Sequence, residues 1–227
     1  MARALPQPRL PEIGRIRLGT RERTSKGKLV PTASPTLVMS SPSKGTLVQL
    51  AARVGGSVAA WDGGPEPWRL VSETAQIAAL LSPSLLGEPR WELWSAAGLQ
   101  RRCDGETCEV PVDAPDGPLI ELRPCMCTAE DAECRITTRV AVVLPQVPGI
   151  GVWLTTTHSV IAASELAGQR ALLGASGSAS LLPCTLAIEH ERTRRGATVP
   201  VIRLRFHVGL DALANASPAG ALSSGDA

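Results

Sequence analysis

TTRVAVVLPQVPGIGVWLTTT, residues 137–157, sets the class of fold. Two apolar, β-branched runs flank the breaker PQVPGIG, so Arg139 to Leu144 and Gly151 to Thr156 read as paired strands. The period then changes. SVIAASELAGQRALLG reads as a helix with Ser159 as its N-cap and Gly174 as its stop. LLPCTLAIEHER and VIRLRFHVGL, on either side of RRG, read as a hairpin in which Ile202, Leu204, Phe206 and Val208 alternate with Arg203, Arg205 and His207. Upstream, TLVMSSPSKGTLVQLAARVGG reads as a strand, a turn and a helix from Lys44 to Val54. Leu47, Leu50, Ala51 and Val54 share one helix face, and Gly55-Gly56 ends it. SVAAW and WRLVSE are strands about the turn DGGPEP, and TAQIAALLSP is either a buried strand or a turn of helix. WELWSAAGLQRRC reads as one strand running to Cys103, with Trp91 and Leu93 on one face and Trp94 on the other. The expected fold is α+β, a mostly antiparallel sheet with two or three short helices and a zinc-stapled insertion.

The chain has 227 residues, 44% of them hydrophobic, which is enough for a core without disulfide staples. The start lacks the apolar run of a secretory signal, and no apolar stretch is long enough to span a bilayer, so the expected compartment is intracellular and reducing. The net charge is +2, unevenly spread. Residues 1–30 hold eight Lys and Arg against Glu12 and Glu22, a net of +6, so the remainder carries about −4. The division this suggests is a basic N-terminal arm over residues 1–30 that leads into the first strand, an α+β part over 31–102, a cysteine-rich zinc-binding segment over 103–135 and a C-terminal part over 136–211. The last part, 212–227, has no periodicity and reads as a disordered tail.

Five of the 6 cysteines fall at Cys103, Cys108, Cys125, Cys127 and Cys134. Near-neighbour thiols on two turns separated by a loop suit a tetrahedral zinc ion, since each turn aims its sulfurs at one point. The glycine in CDGETC supports the first turn by allowing a left-handed backbone there. Zinc takes four ligands and five thiols are on offer. Alternate residues of an extended segment point opposite ways, so Cys125 and Cys127 compete for one position. The expected set is Cys103, Cys108, Cys127 and Cys134, with Cys125 as the alternative to Cys127. An all-thiolate site is closed and therefore structural, without a water position for catalysis. An iron–sulfur cluster and redox-active disulfides are the competing readings. Cys184 falls among the apolar positions of the C-terminal hairpin and reads as a small buried hydrophobe.

LPEIGRIRLG, WELWSAAGLQRRCDGETC, the PCMC doublet and CRITTRVAVVLPQVPGIGVWLTTTHSVIAASEL together resemble the recombination directionality factor-like proteins of temperate actinobacterial phages. The resemblance runs over most of residues 10–173. It implies a non-catalytic accessory protein in the host bacterial cytoplasm that binds a large serine integrase in its attachment-site DNA complex. Such a factor turns integration into excision by favouring one arrangement of the integrase over another, and on its own binds DNA with little or no sequence specificity.

The residues agree with a binding protein. No nucleophile elbow, phosphate-binding loop, H-E-x-x-H or carboxylate pair beside a histidine is present, and His158, His190 and His207 are scattered. Aromatic residues make up 3% of the chain, too few for a single-strand stacking platform. Trp61, Trp68, Trp91, Trp94 and Trp153 lie on expected strands and read as core, although an exposed one would be a natural partner anchor. The candidate partner contacts are Trp94, Arg15 and Arg17, the two arginines sharing a strand face in GRIRLG. The alternative function is a zinc-containing nucleic-acid-binding protein of phage replication or recombination, with the basic arm as its contact.

Overall fold

Burial alternates along Gln76–Leu81 and the start of Leu182–Arg192, as a strand with one covered face requires, whereas Leu37–Ser41 is buried on both faces. The computed structural model describes residues 10–114, 117–125, 127, 133–176, 180–193, 196–207 and 209. The elements are β1 (Glu12–Arg23), β2 (Leu29–Ser41), α1 (Lys44–Val54), β3 (Ser57–Ala60), β4 (Trp68–Val71) and β5 (Gln76–Leu81). A 3-10 turn leads into β6 (Arg90–Ser95), β7 (Gly98–Cys103), β8 (Thr107–Ala114) and β9 (Gly117–Pro124). The chain continues with β10 (Arg135–Val142), β11 (Val152–Thr157), α2 (Val160–Ala175), β12 (Leu182–Arg192) and β13 (Thr198–Phe206). A ten-stranded sheet has the order β3-β4-β2-β1-β11-β10-β6-β7-β8-β9, and a three-stranded sheet has the order β13-β12-β5. The architecture is α+β and mostly antiparallel; β1 and β11 form a parallel pair in the middle of the large sheet.

The strands about PQVPGIG pair as expected, Arg139 opposite Thr156 and Val142 opposite Trp153. The first helix covers Lys44–Val54, with Ser43 Oγ accepting from the Thr46 amide. In α2 the Ser159 hydroxyl accepts from the Ala162 amide, but the helix runs past Gly174 to Ala175. TAQIAALLSP resolves as strand β5, held against Leu182–Ala187 of β12. WELWSAAGLQRRC is not one strand. Ser95 pairs with Gly98, whose φ of +111° makes the turn between β6 and β7. Glu12–Arg23, at the end of the basic arm, is the first strand and pairs with both β2 and β11. The cysteine segment continues the large sheet through the β8–β9 hairpin, so the boundary at Cys103 falls inside a sheet. Residues 212–227 lie outside the described residues, as does the arm before Leu10.

The core lies between the middle of the large sheet and a second layer. Ile16, Leu37, Met39, Leu70, Val140 and Trp153 of the sheet meet Leu47 and Leu50 of α1, Leu166 of α2, and Leu186 and Leu204 of the smaller sheet. Each such side chain contributes about 1.5–3 kcal/mol by leaving water. Among the described residues, this cluster includes none between Leu86 and Val140. Strands β6–β9 therefore extend the sheet as a wing beyond the core, and they must be held by something other than shared apolar packing.

Candidate functional site

The wing joins the core at Glu92. Strand β10 pairs with β6 through Arg135 opposite Glu92, Ile136 opposite Trp91 and Thr137 opposite Arg90. Glu92 is buried, and four N–H groups converge on its carboxylate. Arg102 Nε and Arg139 Nη1 donate to Oε1 at 2.8 and 2.7 Å, while Arg139 Nη2 and Trp94 Nε1 donate to Oε2 at 2.8 and 2.9 Å. Burial alone would raise its pKa. The hydrogen bonds from Arg139, Trp94 and Arg102 outweigh that and hold the carboxyl at about 2.

The five thiols gather at the other side of β7. Cys103 and Cys108 are direct cross-strand partners on β7 and β8. The Asp104 amide donates to Thr107 O at 3.3 Å, which makes Cys103 and Cys108 the adjacent non-hydrogen-bonded pair, whose side chains stand close on one face. Asp104 Oδ1 accepts from the amides of Glu106 and Thr107, and Gly105 at φ +111° turns its N–H toward the Cys103 sulfur. The Cys125 amide donates to Glu106 O at 2.7 Å, bringing that residue beside the same turn. Cys103 Sγ lies 3.8 Å from Cys125 Sγ, and Cys127 Sγ lies 3.6 Å from Cys134 Sγ. Cys125 and Cys127 follow the end of β9, so strand alternation does not separate them and both side chains enter the cluster. All are free thiols.

Burial pushes the Cys103 thiol up to about 12, and the Cys134 hydrogen bond, reinforced by burial, pushes Cys127 up to about 11. Burial raises Cys108 as well, whereas the Cys127 amide lowers Cys125. Arg101 Nε donates to Cys134 Sγ at 3.3 Å. Among the described residues, no group of three or more His, Cys, Asp and Glu side chains is already arranged to hold a metal ion. Cys184 is buried in the core and takes no part in the cluster.

The wing also exposes apolar side chains. Trp94 is 56% exposed, and on β9 Leu119, Ile120 and Leu122 are 55%, 59% and 71% exposed. Among the described residues, strand β9 ends the sheet order, with β8 as its one neighbour in the sheet. The described hairpin strands carry Glu109, Asp113 and Glu121 against Arg123, so this edge combines apolar contact area with a net negative charge.

The two candidate arginines lie elsewhere, in an open groove of about 1030 Å³ lined by β1, residues 61–65 and the start of α2. Arg17 donates to Ser40 Oγ at 2.9 Å and to Glu66 at 2.5 Å, and its guanidinium stacks over Trp61 at 5.0 Å. Arg15 pairs with Glu12 and with Glu66. Burial would raise Glu66, but the bonds from Arg17 and Ser40 hold it below the usual carboxylate range. Both arginines thus already face carboxylates. His158 Nδ1 lies 3.0 Å from Ile136 O and 3.3 Å from Thr137 Oγ1, tying the ring to β10. His207 Nε2 contacts Thr185 Oγ1 at 2.7 Å. Of the tryptophans, Trp153 is fully buried, Trp61 is buried in the loop after β3, and Trp68 lies under Lys44 Nζ at 4.8 Å.

A profile described as Gp3-like, recombination directionality factor-like, matches residues 13–207. The chain belongs to this family. The matched span runs from β1 to the residue after β13 and includes both the core and the wing. Membership connects the chain with phage recombination. No curated protein and no solved structure matches it significantly. Among the described residues no helix is long and apolar enough to cross a membrane.

Sequence reading missed Glu92 as a keystone. Its signal was a lone acid between Trp91 and Leu93, with arginines at 102 and 139, but only the register of β6, β7 and β10 shows that those charges meet.

Proposed function

We propose that this chain is a non-catalytic accessory factor that binds a large serine integrase and shifts it from integration to excision. Family membership over residues 13–207 carries the reading. The geometry of the wing supports it. Apolar residues on an open, acidic-edged strand suit a protein partner with a basic and apolar face, since burying them returns the free energy that the monomer leaves unrealised. The factor acts by differential binding: it stabilises whichever integrase arrangement it fits better, and the shift cannot exceed that difference in affinity. A role through phosphate contact draws no support from Arg15 and Arg17, because Glu12 and Glu66 already neutralise them.

The test is recombination in vitro with the cognate integrase, scoring excisive and integrative products with and without the protein. The expected result is excision switched on and integration suppressed, and a Leu122→Asp, Ile120→Asp variant that keeps the fold but loses the effect. If neither reaction responds while the protein retards DNA with a steep salt dependence, it is a nucleic-acid-binding protein instead.

A further inference from the structure

We infer that the wing is a metal site in which one zinc ion is bound by four thiolates, three of them Cys103, Cys127 and Cys134 and the fourth Cys125 or Cys108. The argument is independent of the integrase reading. With zinc–sulfur bonds of about 2.3 Å, the edges of a sulfur tetrahedron measure about 3.8 Å. The wing holds two sulfur pairs at that spacing, Cys103 with Cys125 at 3.8 Å and Cys127 with Cys134 at 3.6 Å. Disulfides would need about 2.05 Å, and the cysteines are free. Binding therefore closes two preformed edges onto one centre, a smaller rearrangement than collecting four separate thiols. Cys108, opposite Cys103 on the same face, is the fifth sulfur within this group.

The surroundings of Arg101 are a second, separate observation. Its side chain is only 18% exposed; it donates to Cys134 Sγ at 3.3 Å, and the Glu133 carboxylate lies 4.0 Å away. A half-buried guanidinium set against sulfur suits an anionic sulfur centre. Binding supplies that anion: four Sγ–H protons leave to solvent, zinc bonds to four thiolates, and the complex carries a net charge of −2 facing Arg101. Thiolate donors select zinc over magnesium or calcium, and no imidazole lies within the cluster to open the site. With four protein ligands the ion is saturated, so its role is to fasten β7 and the start of β10 to β8 or to the end of β9 where the core does not reach.

The experiment uses the full chain purified under reducing conditions. Elemental analysis is expected to find one zinc per chain, and cobalt exchanged into the protein should give the intense thiolate charge-transfer and visible bands of a tetrahedral sulfur site. Cys103→Ser, Cys127→Ser and Cys134→Ser should each lower zinc content at least about tenfold. Of Cys108→Ser and Cys125→Ser, one should keep full occupancy while the double variant loses the metal. Cys184→Ser, in the core, is the control and should retain it. Full zinc content in Cys103→Ser or in the Cys108, Cys125 double variant would overturn the assignment. So would metal-free protein with six reactive thiols, a cobalt spectrum lacking thiolate bands, or bound iron with sulfide in place of zinc.

Discussion

Replacing Glu92 with Gln should uncouple the wing from the core and remove one source of acid sensitivity. The carboxylate is an acceptor only, and it receives two donors on each oxygen. A glutamine offers one oxygen and one amide group, so in either orientation two N–H donors face N–H hydrogens. Holding the carboxyl at about 2 instead of 4.5 corresponds to about 3 kcal/mol of stability at neutral pH. Arg102 and Arg139 are about a third exposed, at 34% and 36%, and solvent screening keeps the figure from being larger. Because the folded value is the lower one, this stability is fully present above the unfolded value near 4.5 and is lost as pH falls toward 2. Urea unfolding at pH 7 and pH 3 should show Glu92→Gln weaker by about 2–4 kcal/mol at pH 7 and the gap narrowed at pH 3. Hydrogen exchange at neutral pH should accelerate first in β6 and β7. A variant within about 0.5 kcal/mol of the parent at pH 7, with the parent's acid dependence intact, would refute the keystone role.

Two further outcomes concern the core. A Cβ at Gly14 would sit 2.4 Å from Ser40 O and 2.6 Å from the Trp153 ring, so Gly14→Ala should cost about 1–3 kcal/mol in urea denaturation; an unchanged midpoint would mean that β1 can shift against β11. Ser159→Ala removes the cap of α2 and should cost about 1 kcal/mol, read as a lower melting temperature, with Ser159→Gly recovering most of it.

The legible parts of the fold were those whose information is local. Helix α1 showed in the spacing of Leu47, Leu50 and Val54 and in its glycine stop, and the β12–β13 hairpin showed in strict alternation. What needed register was hidden. Nothing in EIGRIRLGTRER states that it lies between β2 and β11, since a strand bordered by two others reads the same as one at an edge and its arginines suggest solvent. The two-residue turn in WELWSAAGLQRRC was masked because Ser-Ala-Ala-Gly carries only one strong turn residue. The thiols were conspicuous in the sequence, but the contact of Cys125 with Cys103 depends on β9 ending at Pro124.

That the sheet continues where the core does not has an evolutionary consequence. The wing is attached along β6 by three residue pairs to β10, and none of its described residues belongs to the apolar core. Its hairpin can therefore lengthen, change its edge side chains or exchange them wholesale without repacking a single buried leucine. Only the graft at Glu92 and its arginines and the thiols at the base of the hairpin have to be preserved. A lineage could rework this face at the mutation rate of a surface while its scaffold stays still.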